Sequence, residues 1–229
     1  MNDELPIIPI VWDVDLTITQ EYQQIPLFRK YFKRLKAKIE RKGLPFLTED
    51  DYWAYVNRSD ANTGFGYLQQ LIWDARIGEP FDGLTNDELF ELGREVKLAP
   101  GFRECLVQIK KDFAGKCEVH HFFVSVGITK MIEGIVEENR MKSYVKKIAA
   151  SEFLEHNGRI AGIKEAVLPF TKNEMIISLM KGGKHLLNTP MATSDYKYDY
   201  RNMIVIGDGF TDTSKFAYAK KQGGTPIVV

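Results

Sequence analysis

One short acidic segment has residue types and a spacing that could do chemistry. Residues 13–17 read DVDLT, so Asp13 and Asp15 lie two positions apart where an apolar run ends, and both carboxylates can face one crevice. One carboxylate can attack a substrate while the other moves protons. A carboxylate that attacks a phosphate approaches like charge, which requires a cation and fixed donors. Alone, the segment is equally typical of a solvated turn with capping acids.

A second acidic segment strengthens the case for a cation site. Residues 207–212 read GDGFTD, in which the glycines allow the backbone to approach a ligand closely. If the two segments meet, Asp208 and Asp212 bring the site to four carboxylates, which repel each other strongly unless a cation binds. Mg²⁺ suits such a site because it takes oxygen ligands from carboxylates, phosphate and water. The sequence therefore predicts a magnesium site that includes Asp13 and Asp208.

Short apolar runs are the elements that must position these segments. Three runs are apolar on both faces, which is typical of buried parallel strands. They are residues 7–12, 119–124 and 203–206. The polar residues that follow them are Asp13, Ser125 and Gly207. Helical patterns over residues 101–113 and 130–139 alternate with these runs, which predicts an α/β fold: a Rossmann-like parallel sheet with helices on both faces. Because ligands bind at the carboxyl ends of such strands, we expect the polar endings to converge.

Residues 19–99 break this alternation and predict an inserted domain. They are rich in aromatic residues, and no buried-strand run occurs in them. Helical patterns cover residues 25–42, 49–57, 64–77 and 85–97. We predict a helical cap domain at residues 19–99, inserted into a catalytic core made of residues 1–18 and 100–229. A small hairpin is predicted at residues 151–165, where residues 157–158 (NG) are typical of a tight turn.

In order and context, these segments resemble the four motifs of the haloacid-dehalogenase (HAD) superfamily, and the resemblance covers most of the chain. Residues 13–17 and 207–212 resemble the first and fourth motifs. Ser125, after the second strand, and Lys172, in the stretch FTKN at residues 170–173, match the second and third motifs by position.

The second acid separates the branches of this superfamily. The family's dehalogenases lack an Asp at the position of Asp15, and its P-type ATPases carry Thr there, so Asp15 resembles the phosphatases and phosphomutases. The GDGFTD segment and an insert directly after the first motif most resemble the phosphoserine-phosphatase branch. One departure is SVG at residues 125–127, where that branch often has SGG.

The resemblance implies a role for each matched residue. Asp13 forms an aspartyl-phosphate, and Asp15 protonates the leaving alcohol and then activates water. Lys172 is a catalytic residue that offsets the charge of the phosphoryl group and of Asp13. The groups implied to bind phosphate are Ser125, the backbone at Val126 and Gly127, Lys172 and Thr17. The implied Mg²⁺ ligands are Asp13, the main-chain carbonyl of Asp15 and Asp208, with support from Asp212 and Gly209.

Candidates for substrate contact lie in the predicted cap. Those nearest to the core are Glu21, Tyr22, Gln23 and Arg29, and further candidates are Arg58, Phe65 and Trp73. Aromatic residues in such a lobe more often form its own hydrophobic core.

The resemblance implies a Mg²⁺-dependent phosphatase that acts on a small phosphorylated metabolite. A phosphotransferase or phosphomutase on the same scaffold is one alternative, and a phospho-ligand-binding protein without turnover is another. A metal-dependent glycosyltransferase that uses an Asp-x-Asp motif is more remote, because it leaves residues 207–212 unexplained.

The charge composition argues against two classes of partner, nucleic acid and anionic membranes. The 31 basic residues balance the 31 acidic residues, so no overall field favours nucleic acid or an anionic membrane. Cys105 and Cys117 follow no metal-binding or redox spacing, which predicts reduced thiols. Neither a signal peptide nor a bilayer-length apolar run is evident. We predict a cytoplasmic monomer or homodimer.

Overall fold

The computed structural model describes residues 5–57, 66–209 and 212–229. Within these ranges, the strands are β1 (Ile7–Trp12), β2 (Glu118–Ile128), β3 (Val145–His156), β4 (Arg159–Glu165), β5 (Ile204–Gly207) and β6 (Thr225–Val228). The α-helices are α1 (Ile25–Lys30), α2 (Phe32–Glu40), α3 (Asp51–Asn57), α4 (Gly66–Asp74), α5 (Asn86–Arg94), α6 (Phe102–Asp112), α7 (Thr129–Glu138), α8 (Lys172–Lys181) and α9 (Thr213–Lys221). Short 3₁₀ helices occupy Lys184–Leu186, Thr193–Asp195 and Tyr200–Asn202.

The six strands form one sheet in the order β4-β3-β2-β1-β5-β6. All neighbouring strands are parallel except β3 and β4, which are antiparallel. Alternate strand residues face opposite layers of helices. Val11 and Phe122 pack in a cluster with residues of α8 and α9, whereas Trp12 and Phe123 pack in a cluster with residues of α6 and α7. This arrangement confirms the predicted α/β class with helices on both faces.

Strand β2 is longer than the sequence predicts. The apolar run indicates an end at Ser125, but β2 continues to Ile128. Val124 pairs with Ala149 and Ile128 pairs with Ser151, so β2 advances four residues while β3 advances two. The extra residues form an irregularity of the β-bulge type, after which pairing resumes. Polarity at Ser125 therefore marks a break in the register and not the end of the strand.

The predicted hairpin is confirmed, although β3 begins earlier than expected. β3 and β4 are joined by Asn157 and Gly158, with φ of 52° and 70°. Positive φ at both central residues is typical of the tight turns that join antiparallel strands. The first half of β3 extends the parallel sheet beside β2. The hairpin is therefore the outer edge of the sheet and not a separate unit.

Helices α1 to α5 occupy the segment that the sequence assigns to a cap. Phe28, Tyr52 and Phe81 are fully buried within it, and the rings of Phe28 and Tyr52 lie 4.3 Å apart. The same hydrophobic cluster continues into the sheet layer through Ile128 and Phe153. The two chain segments that join these helices to the sheet run side by side, since Thr19 and Leu98 form an antiparallel bridge. The division into domains at residues 19–99 stays a prediction.

Two glycines bring α5 against α7 at backbone distance. A Cβ atom on Gly93 would lie 2.1 Å from the carbonyl oxygen of Met131, and one on Gly134 would lie 2.1 Å from that of Phe90. Both distances are far inside van der Waals contact, and both involve backbone atoms that side-chain rotation cannot move. Only glycine fits either position without separating the helices.

The substitution Gly134→Ala is expected to destabilise the protein. Alanine favours a helix over glycine by about 1 kcal/mol, but overpacking against a rigid neighbour costs about 1–3 kcal/mol, and here the neighbour is backbone. We expect the free energy of unfolding, measured in urea, to fall by roughly 2 kcal/mol. Glu137→Ala, at an exposed position of α7, is the control and should leave the free energy of unfolding nearly unchanged. Equal stability of the two variants would contradict the close packing of α5 on α7.

The helices of the described ranges are short. The longest, α6, has 11 residues, whereas a helix that crosses a bilayer needs about 20. Over the ranges that the structure describes, no helix has both the length and the apolar character for a membrane span.

Candidate active site

The two acidic segments meet where β1 and β5 end side by side. Trp12 pairs with Ile206, and the N–H group of Asp13 donates to the Ile206 carbonyl at 2.9 Å. Carboxylate oxygens of Asp13, Asp208 and Asp212 lie within 4.8 Å of one another. Acids from the two ends of the chain are therefore brought together at the carboxyl edge of the parallel sheet.

Lys172 joins the two buried acids of this cluster. It is the first residue of α8 and its side chain is fully buried. Its ammonium donates at 2.7 Å to Asp13 Oδ1 and at 2.7 Å to Asp212 Oδ1. Burial alone lowers the pKa of Lys172, but the carboxylates of Asp13 and Asp212 outweigh it and raise the pKa above its usual value. Lys172 is therefore a fixed positive charge beside Asp13.

A second buried lysine, which the sequence analysis misses, lies behind Asp212. Lys215 of α9 donates at 2.8 Å to Asp212 Oδ1 and at 3.2 Å to the Ile206 carbonyl. Burial lowers the pKa of Lys215, although the Asp212 carboxylate opposes this. A Cβ atom on Gly207 would lie 1.9 Å from Asp212 Oδ2 and 3.1 Å from the Lys215 ammonium. Gly207 therefore makes room for this pair. The sequence signal is the spacing of three residues between Asp212 and Lys215 at the start of a helix.

Asp15 is buried and held by Gln23. Its Oδ1 accepts from the Gln23 backbone N–H at 2.7 Å, and its Oδ2 accepts from the Gln23 side-chain amide at 3.3 Å. Burial raises the pKa of Asp15 to about 7, against the lowering effect of the hydrogen bond from the Gln23 N–H. A carboxyl group that titrates near neutrality can both give and take a proton. Gln23 is therefore bonded to an acid of the site and is not placed as a free substrate contact.

The segment predicted to bind phosphate lies in the irregular part of β2. Ser125 is buried, and its Oγ accepts from the Gly127 N–H at 3.0 Å. The Val126 carbonyl accepts from the hydroxyl of Tyr67 in α4 and from that of Ser151 in β3. Because β2 lies next to β1, this segment stands beside the turn that carries the two acids. Phosphate binding by these residues stays a prediction.

Solved structures share this architecture at low sequence identity. A HAD family hydrolase of Salmonella enterica serovar Typhi matches 97% of this chain and 68% of its own length, with a TM-score of 0.59 and 13% identity. A phosphoserine phosphatase with bound substrate matches 98% of this chain and 94% of its own length, with a TM-score of 0.57 and 13% identity. The chain has the fold of the HAD-like hydrolases. Within this fold, Asp13 and Asp208 of this chain follow the neighbouring strands β1 and β5.

Comparison of sequences alone does not assign the chain to a family. An uncharacterized protein of Borreliella burgdorferi is 25% identical over an alignment of 236 positions, which spans 94% of this chain and 79% of that protein. No family model matches the chain. The assignment to the HAD-like fold therefore rests on the three-dimensional likeness.

Thr19 takes the hydrogen bonds of the turn after β1. Its hydroxyl lies 3.2 Å from the Val14 carbonyl and 2.8 Å from the Glu21 carbonyl. It also accepts from the Leu16 N–H at 3.3 Å. The Thr17 hydroxyl is buried and has no hydrogen-bond partner within residues 5–57, 66–209 and 212–229. A phosphate contact by Thr17 stays a prediction.

Two of the predicted substrate contacts, Arg29 and Glu21, form an ion pair with each other. Arg29 lies 3.5 Å from Glu21 and 3.3 Å from Glu49, and all three side chains are partly or largely exposed. None of these three charges is buried, so the two ion pairs add little to the stability of the fold. Arg58 and Phe65, also predicted as contacts, lie outside the residues that the structure describes. Substrate contact by Glu21 and Arg29 stays a prediction.

Tyr22, another predicted substrate contact, lies near enough to Asp15 and Asp208 for their charges to act on its hydroxyl. Its ring lies 5.6 Å from that of Trp53 and it is 41% exposed. Burial raises the pKa of the Tyr22 hydroxyl, and the charges of Asp15 and Asp208 raise it further. Trp73, in contrast, lines a different cleft of about 390 Å³, which contains none of the acids of the site.

The donor set of the acidic cluster suits a hard cation. Asp13, Asp208 and Asp212 offer only oxygen, which Mg²⁺ prefers. One carboxylate oxygen, Asp212 Oδ2, is buried and lacks a hydrogen-bond partner in the described part of the chain. A buried oxygen without a partner is costly unless a cation or water satisfies it. The residues present therefore fit Mg²⁺, as the sequence predicts.

Proposed function

We propose that this protein is a Mg²⁺-dependent phosphatase that hydrolyses a small phosphorylated metabolite through an aspartyl-phosphate on Asp13. One observation carries the proposal: the buried carboxylate of Asp13 is paired with the fixed charge of Lys172 and lies near Asp15, a second acid that titrates near neutrality. The likeness to a phosphoserine phosphatase supports phosphate-ester hydrolysis as the class of reaction.

The first step transfers the phosphoryl group to the protein. An oxygen of Asp13 forms a bond to phosphorus while the bond from phosphorus to the leaving alcohol oxygen breaks. Protonated Asp15 gives its proton to that oxygen, so the alcohol leaves neutral and Asp15 becomes a carboxylate. Lys172, 2.7 Å from Asp13, stabilises the charge that gathers between the nucleophile and the phosphoryl oxygens.

The second step returns the protein to its starting state. Asp15, now a carboxylate, accepts a proton from water while the water oxygen forms a bond to phosphorus. The bond between phosphorus and Asp13 breaks, inorganic phosphate leaves, and Asp15 is protonated again. A pKa of Asp15 near 7 suits both of its roles.

Three groups would hold Mg²⁺ at this site: Asp13, Asp208 and the main-chain carbonyl of Asp15. When bound, Mg²⁺ supplies positive charge that offsets the like charges of nucleophile and phosphate. Asp212, which Lys172 and Lys215 hold at Oδ1, supports the cluster from its buried side.

Purified protein should release phosphate from p-nitrophenyl phosphate and from members of a panel of phosphorylated metabolites in the presence of Mg²⁺. EDTA should abolish the release, and excess Mg²⁺ should restore it, because the cation is needed before a carboxylate can approach the phosphate. Release that is unaffected by EDTA would contradict the role of the metal. A phosphorylated acceptor with little free phosphate would indicate a phosphotransferase, and Mg²⁺ binding without turnover would indicate a binding protein.

A further inference from the structure

Gln23 is a fully buried polar residue to which the proposed reaction assigns no task. It precedes α1 by two residues, and its side chain has no exposed surface. Its amide nitrogen lies 3.3 Å from Asp15 Oδ2, and its amide oxygen accepts from the Ile128 N–H at 2.9 Å. Its own backbone N–H donates to Asp15 Oδ1 at 2.7 Å. Gln23 therefore connects Asp15 to the junction of β2 and α7.

The chemistry of the amide is matched to both neighbours. The Ile128 N–H can only donate, so it requires the oxygen of the Gln23 amide and turns the nitrogen towards Asp15. An ionised glutamate at this position could accept from Ile128 but could not donate to Asp15, and a second negative charge beside Asp15 would be unfavourable. Methionine has a similar length and offers neither a strong donor nor a strong acceptor. Only glutamine, among side chains of this length, satisfies both contacts.

The backbone around Gln23 leaves space for this side chain and little more. A Cβ atom on Gly127 would lie 1.9 Å from the Gln23 amide nitrogen and 2.5 Å from its amide carbon. Gly127 belongs to the segment predicted to bind phosphate. The amide therefore fills the gap between that segment and the acid that serves the leaving group.

The two hydrogen bonds make the oxygens of Asp15 unequal. Oδ1 accepts the shorter bond, from a backbone N–H that cannot move independently of the chain, whereas Oδ2 accepts the longer one. Oδ2 is therefore the oxygen that the protein engages less strongly, and the Gln23 amide determines where Oδ2 points.

We infer that Gln23 is a positioning residue, which holds Asp15 Oδ2 towards the oxygen of the leaving group and ties it to the Ile128 N–H. This inference rests on the proposed function. It predicts that loss of the amide weakens proton donation selectively. Esters of weakly acidic alcohols, which need the proton most, should therefore suffer more than esters of acidic phenols.

The test is the dependence of kcat/KM on the leaving group in a series of substituted phenyl phosphates. This ratio reports the steps up to departure of the phenol, before water attacks the intermediate. For Gln23→Met we expect a fall of about 10- to 100-fold with phenyl phosphate, a part of the roughly 10²- to 10⁴-fold that a general acid contributes. With p-nitrophenyl phosphate we expect a fall of no more than about 3-fold, because that leaving group needs little protonation.

Two further variants complete the test. Gln23→Leu also removes both amide contacts, with a shorter and branched apolar side chain, so it should show the same steeper dependence even if Gln23→Met folds poorly. Gln24→Met makes the same change at the adjacent buried glutamine, whose amide oxygen has no hydrogen-bond partner among the described residues, and it should behave like the wild type. An equal fall across the series, or none, in both Gln23 variants would overturn the inference. A wild-type protein without Mg²⁺-dependent hydrolysis of any of these esters would instead overturn the proposed function.

Discussion

Asp13→Asn is expected to abolish Mg²⁺-dependent phosphate release, with a fall in kcat of about 10⁴-fold or more. The amide keeps the size of the side chain but removes the charge and the nucleophilic oxygen. It also removes one ligand of the proposed cation. Release of p-nitrophenol, followed in the presence of Mg²⁺, measures the effect directly.

The fold of Asp13→Asn should survive, which makes the loss interpretable. Burial raises the pKa of the Asp13 carboxyl, so the folded protein holds its charged form less favourably than water does. Lys172 keeps Asp212 as a partner in the variant. We therefore expect a Tm within roughly 5 °C of the wild type. Asp195→Asn, at an exposed position, controls for the chemical change and should retain full activity. Retained turnover in Asp13→Asn would contradict the assigned nucleophile.

Lys172→Met is expected to weaken both turnover and stability. Methionine fills much of the space of the lysine stem but leaves Asp13 and Asp212 without the ammonium between them. Removal of one positioned electrostatic group costs about 10²- to 10³-fold in kcat. Removal of one partner from a buried ion pair costs about 3–5 kcal/mol, because the other charge stays buried. Kinetics with p-nitrophenyl phosphate and thermal unfolding measure the two effects.

The stability loss in Lys172→Met should depend on pH. Burial already raises the pKa of Asp13 in the folded protein, and loss of the lysine, which lowers it, raises it further. A carboxyl with a raised folded-state pKa penalises folding at pH values above that pKa, and the penalty disappears as the pH falls through it. The difference in Tm between wild type and variant should therefore shrink as the pH falls from neutral towards the ordinary carboxyl range near about pH 4. A difference that grows over this range would contradict the buried pairing.

The same helix supplies a matched control. Lys181 is also buried in α8, but its ammonium donates to the carbonyls of Leu186, Leu187 and Thr189 and not to a carboxylate. Lys181→Met should lower the Tm while kcat with p-nitrophenyl phosphate stays within about 3-fold of wild type, since no charge of the site changes. A loss of activity as large as that in Lys172→Met would show that destabilisation alone explains both variants.

The architecture of the site follows from the sequence because strong local patterns specify it. The runs that end at Asp13 and Gly207 are apolar on both faces, and only a strand buried in a parallel sheet places such runs inside. Parallel strands that are neighbours bring their carboxyl ends together, so the convergence of Asp13 with Asp208 needs no further information. The α/β class, the helices on both faces and the turn at Asn157 are predictable for the same reason.

The partners of the acids are not predictable in this way, because they depend on packing between distant elements. The spacing of Lys215 from Asp212 is local, but a lysine in a helix is ordinarily a solvated residue, and this one is buried because α9 packs against β5, where the Ile206 carbonyl accepts from it. Gln23 is hydrogen-bonded to Asp15 because the segment before α1 packs against the end of β2, where Ile128 donates to the Gln23 amide. The length of β2 escapes prediction because the register shift after Val124 depends on β3.

The covalent intermediate on Asp13 is the central claim, and trapping it is the most direct test. Turnover of p-nitrophenyl phosphate with Mg²⁺ would be stopped by rapid acid quench, and the sample reduced with borohydride and digested for peptide mass spectrometry. Reduction converts a phosphorylated aspartate into homoserine. We predict that homoserine is found at position 13 and depends on both substrate and Mg²⁺. Full turnover with an unmodified Asp13, or with the label at Asp15, would contradict the account.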